Sequence, residues 1–83
     1  MSEIEAKMER IDYYETSAGG LVIIYRVETN GLLNEYFLVT FDDGYAEEAW
    51  AVGPTPEAAL FSAAREWSAE DNPFKEVLAQ LQK

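Results

Sequence analysis

The chain has no cysteine and no histidine, and only six of its 83 residues are basic. Without cysteine there is no disulfide, no thiolate nucleophile and no thiolate metal site. Without histidine the usual general base near neutral pH is missing, and so is the commonest zinc ligand. No apolar run approaches the 18 residues that a bilayer-spanning helix needs. The opening Met1-Ser2-Glu3-Ile4-Glu5 is acidic where a secretory signal is basic and then apolar. These absences together predict a cytoplasmic protein without cofactor, metal or membrane partner. Sixteen acids against the six bases leave a formal charge of −10, which repels nucleic acid and anionic lipid.

What is present is enough to fold. Hydrophobic residues make up 48% of the chain and aromatics 13%, well above the composition of disordered chains. The length suits one domain over 1–83, because two separate cores could not each offset their conformational entropy at this size. There is no internal repeat or linker, so function must sit on the surface of a single unit.

Local patterns predict an α+β fold in the order α-β-β-β-α-α: a short N-terminal helix, a three-stranded antiparallel β-meander and two C-terminal helices. Ser2 and Glu5 have the spacing of a capping box, and Ile4, Met8 and Ile11 follow at helical intervals. Residues 11–16, with Tyr13 and Tyr14, suit a short strand equally well. Leu21–Glu28 is β-branched and aromatic, with Leu21, Ile23, Tyr25 and Val27 on one face and Val22, Ile24, Arg26 and Glu28 on the other. Asn34–Asp42 alternates in the same way, and Asp43-Gly44 signals a tight hairpin. A two-residue loop there pairs Phe37 with Trp50 and Val39 with Glu48; a three-residue loop places Phe37 opposite Ala49 and Glu47 beside Val39. Thr55-Pro56-Glu57 then opens a helix whose Leu60, Ala64 and Trp67, flanked by Phe61 and Ala63, should lie across the sheet. Asp71-Asn72-Pro73 ends that helix and starts a last one carrying Phe74, Val77, Leu78 and Leu81.

Charge is distributed unevenly. Between Arg26 and Arg65 there is no base, yet Glu28, Glu35, Asp42, Asp43, Glu47, Glu48 and Glu57 fall in that stretch. Clustered like charge opposes compaction, and binding to a basic partner would offset that cost. A solvated acidic face that serves solubility is the competing reading. The acids around the hairpin do not follow the spacing of a calcium loop. The partner-binding residues predicted from this pattern are Glu28, Glu35, Asp42, Asp43, Glu47 and Glu48 for charge, with Tyr36 and Tyr45 for contact area. No catalytic set is expected.

In size, element order and charge the chain resembles the small acidic phage inhibitors of bacterial defence, anti-CRISPR proteins in particular. That resemblance implies a phage protein acting in the host cytoplasm as a DNA mimic. It would fill the basic nucleic-acid groove of a protein such as a CRISPR effector, as a monomer or homodimer. Phe41-Asp42-Asp43-Gly44-Tyr45 and Gly53-Pro54-Thr55-Pro56-Glu57-Ala58-Ala59-Leu60 are similar to the β-β-β-α pattern of HicB-type antitoxins. By that likeness the chain would be an antitoxin or a homo-oligomeric module neutralising a basic partner.

Overall fold

A computed structural model describes residues 6–29 and 35–82. Four strands, β1 (Ala6–Glu15), β2 (Leu21–Thr29), β3 (Glu35–Asp42) and β4 (Glu47–Gly53), precede two helices, α1 (Pro56–Glu66) and α2 (Pro73–Leu81). The strands form one antiparallel sheet in sequence order, β1-β2-β3-β4.

The N-terminal helix is therefore corrected to a fourth strand. Ser2, Ile4 and Glu5 lie outside the described residues, but Met8 and Ile11 are in β1, paired with β2. A bulge accounts for the misleading spacing. Ile11 is an extra residue between Arg10 and Asp12, so the alternation slips there and apolar side chains recur at an interval that imitates a helix. Strand β1 also gives the backbone groups along one edge of β2 their partners, which a helix could not do.

The Asp43-Gly44 hairpin follows neither expected register. Asp42 pairs with Glu47, which leaves a four-residue loop, and a bulge at Trp50 then places Val39 opposite Ala51 and Phe37 opposite Gly53. A two-residue type I′ turn requires positive φ at both central residues. Gly44 has it (φ 97°), whereas Asp71 is the only non-glycine residue with positive φ among the described residues, so Asp43 does not.

Because directly paired residues share a face, the register sorts the sheet into rows. One face carries Tyr14–Val22–Phe41–Glu48, Asp12–Ile24–Val39–Ala51 and Glu9–Arg26–Phe37–Gly53, and its near rows receive the helices. Val22, Ile24 and Val39 are buried there against Ala59, Leu60, Ala63, Phe74 and Val77. The far end of that face, at Arg26 and Glu28, meets solvent, as the sequence pattern implies. Trp67 joins the core with Phe41, Trp50 and Phe74, their ring centroids 5.1–6.2 Å apart. Phe61 instead projects outward, 59% exposed.

Neither α1 nor α2 packs on the opposite face. Its rows are Glu15–Leu21–Asp42–Glu47, Tyr13–Ile23–Thr40–Ala49, Arg10–Tyr25–Leu38–Val52 and Met8–Val27–Tyr36.

Both helix starts follow the sequence signals. Thr55 Oγ1 accepts the Ala58 amide (3.1 Å), and Asn72 Oδ1 accepts the amides of Phe74 (3.1 Å) and Lys75 (3.3 Å). Asn72 Nδ2 also donates to the Ala64 carbonyl (2.9 Å), so one side chain caps α2 and ties it to α1. No helix of the described residues is long and apolar enough to cross a membrane.

Candidate functional site

The β3–β4 loop is built by its own acids. The Asp43 carboxylate accepts the amides of Tyr45 (2.9 Å) and Ala46 (3.0 Å), and these bonds hold its pKa below the ordinary carboxylate value. Asp42 Oδ1 accepts the Gly44 amide (2.8 Å). With the loop tied down in this way, Tyr45 stands out at the tip, 97% exposed.

Glu47 begins β4 beside this loop. One of its oxygens accepts from the Thr40 hydroxyl (2.7 Å) and from the Tyr25 phenol (2.6 Å). The two bonds lower its carboxyl, Thr40 contributing most, and partial burial opposes them. Reciprocally, the bond to Glu47 raises the Tyr25 phenol. Tyr25 is half-buried over the open face and acts as a brace for Glu47 as well as a cover for the sheet.

The pairing decides which predicted residues meet. Asp42, Asp43, Tyr45, Glu47 and Glu48 gather at the hairpin end, with Glu47 on the open face and Glu48, opposite Phe41, on the helix-bearing face. Glu28 and Glu35 pair with each other at the other end of the sheet, and Tyr36 pairs with Val27 nearby. At the rise of a strand these three sit about 20–24 Å from the hairpin. Arg26 lies 3.5 Å from Glu9 and 3.9 Å from Glu28, the only ion pairs among the described residues.

Sequence reasoning missed Glu15. Pairing carries Glu15 across Leu21 to Asp42 and Glu47, so it shares their row. Its period-2 spacing from Tyr13 was the available signal, and it is legible only once β1 is read as a strand. Thr40 and Tyr25, which position Glu47, were also missed as site residues, although Thr40 stands two residues from Asp42 on the same face.

Chemically, the hairpin end offers fixed negative charge. Carboxyls held below their ordinary values stay ionised at neutral pH and accept hydrogen bonds without donating protons. Among the described residues no group of three or more acids is arranged to hold a metal ion. A cleft of about 600 Å³ beside the helices sets Arg65 and Lys75 against Glu70 and Asp71 and so has no dominant charge. No family model, characterised protein or solved structure matches the chain.

Proposed function

We propose that the protein is a non-catalytic binding protein that inhibits a nucleic-acid-handling protein by presenting its acidic hairpin end to a basic groove. The observation that carries this reading is the gathering of Glu15, Asp42, Asp43, Glu47 and Glu48 at one end, none within ion-pair distance of a base among the described residues. Hydrogen bonds keep Asp43 and Glu47 ionised, and Tyr45 supplies a rigid aromatic contact at the tip. The charge therefore acts from an end of the sheet rather than from a face, since Glu47 and Glu48 point to opposite sides. The partner class implied by the likeness to anti-CRISPR proteins is a CRISPR effector; any groove that binds a phosphate backbone has the matching chemistry. Association should be fast at low salt and weaken steeply as salt rises.

The test uses the immobilised full chain beside an Asp43→Lys, Glu48→Lys variant on bacterial lysate. Retention of a nucleic-acid-binding protein by the unsubstituted chain alone, with release by moderate salt or competing duplex DNA, is the expected result. Equal retention by the variant, or none by either, removes the reading.

A further inference from the structure

Opposite charges meet without pairing in the cleft beside the helices. Arg65 lies in the last turn of α1 and Lys75 in the first turn of α2, while Glu70 and Asp71 lie on the connection between them, and all four line the same space of about 600 Å³. The only ion pairs among the described residues are those of Arg26, so these two cations and two carboxylates are held apart across the cleft. Lys75 also stands at the positive end of the α2 dipole, where a cation is disfavoured and a bound carboxylate is favoured.

The walls of the cleft are fixed by contacts of their own. The Asn72 side chain ties α2 to the Ala64 carbonyl of α1 (2.9 Å), and Trp67 Nε1 donates to the Glu70 carbonyl (3.4 Å), which holds the connection in place. Asp71 is kept at φ 57°, and backbone strain of this kind gathers at ligand clamps. Trp67 and Leu78 supply apolar lining, and Phe61, 59% exposed, adds an aromatic lip. The volume and the mixture of apolar wall with a few charged groups are those of a small-molecule site.

Charge selects the ligand. A simple anion would meet Glu70 and Asp71, and a simple cation would meet Arg65 and Lys75, whereas a zwitterion satisfies both pairs. Protein charges too far apart to pair need a ligand whose own charges are separated. An extended chain advances about 3.3–3.6 Å per residue, so a dipeptide carries its ammonium and carboxylate about 6–7 Å apart. We propose that the cleft binds a short peptide with free termini and an apolar side chain, its carboxylate at Arg65 and Lys75, its ammonium at Glu70 and Asp71, and its side chain against Phe61 and Leu78. No residue of the cleft belongs to the acidic hairpin end, so either reading can fail without the other.

Calorimetric titration of the full chain with the dipeptide Leu-Phe at pH 7, where its amino group is protonated, tests the proposal. Saturable one-site binding is expected, with amide chemical-shift changes gathered at residues 61–78. The N-acetylated and the C-amidated dipeptide each lack one charge and should bind about tenfold more weakly, the factor for a lost charge-assisted hydrogen bond. Free phenylalanine, whose two charges sit on one carbon, should also bind about tenfold more weakly. A variant with Glu70→Gln and Asp71→Asn should no longer distinguish the free dipeptide from its acetylated form, and one with Arg65→Gln and Lys75→Gln should no longer distinguish it from the amide. Circular dichroism shows whether each variant is folded, and the capped peptides test the unsubstituted chain without any variant. No saturation by about 10 mM, capped peptides or phenylalanine that bind as tightly as the free dipeptide, or shifts centred elsewhere in the chain overturn the proposal.

Discussion

Glu47 shows how one side chain can serve both fold and surface. Its carboxylate ties β2, β3 and β4 together through Tyr25 and Thr40 while its charge remains at the hairpin end. Because the folded carboxyl titrates below its ordinary value, its contribution is present above about pH 4.5 and is lost as pH falls through the lowered value. Glu47→Gln should therefore cost about 1 kcal/mol at pH 7, less than buried charge-assisted bonds would give, since the site is solvent-screened. As pH falls through the lowered value the loss should shrink toward zero. Urea melts over a pH series from 7 downward check this, and an equal loss at every pH would show that the charge is not what Thr40 and Tyr25 stabilise. Tyr14 behaves oppositely. Its phenol donates to Asp12 at 2.7 Å and is pushed up to about 12, so its stabilisation is full below pH 10 and fades as pH rises toward 12.

At the scale of elements, contact between α1 and β4 depends on one missing side chain. A Cβ on Gly53 would lie 2.7 Å from the Ala59 nitrogen and 3.0 Å from the Ala58 carbonyl carbon, both backbone atoms that cannot move without displacing the helix. Gly53→Ala should destabilise by about 2 kcal/mol or more through overpacking. Thr55→Ala, which removes only the cap two residues on, should cost about 1 kcal/mol. Thermal melts of the two variants check the order, and a Gly53→Ala protein as stable as the parent would mean that α1 does not rest on β4 this closely. The helices were legible in the sequence because their caps are local chemistry: Thr55, Asn72 and the prolines after them specify an end without reference to the rest of the chain. Faces of β2 and β3 were legible for the same reason, as unbroken alternation is local. Strand β1 and the β3–β4 register were not, because each contains a bulge, and a bulge is set by the partner strand. The candidate site inherits both failures. Glu15 belongs to it only through β1, and Glu28, Glu35 and Tyr36 leave it only because pairing sends them to the other end.

For the whole molecule, the opposing quantities are the net charge of −10 and the burial available to 83 residues. Neighbours within a row are about 5 Å apart and successive rows about 7 Å, both inside the Debye length of roughly 10 Å at 0.1 M salt, so the hairpin-end acids repel one another. Raising sodium chloride toward 1 M shortens that length to about 3 Å and should stabilise the fold. A gain of about 1 kcal/mol would raise the melting temperature by about 4–8 °C for a domain of this size. Self-repulsion within one chain gives a salt-dependent rise that is the same at every protein concentration. Glu48→Lys should shrink it, because Glu48 stands among the acids at the hairpin end. Scanning calorimetry over a range of salt concentrations reads the effect. A melting temperature that does not respond to salt would show that the acids are spaced too widely to repel, and would remove the energetic reason for a basic partner at that end.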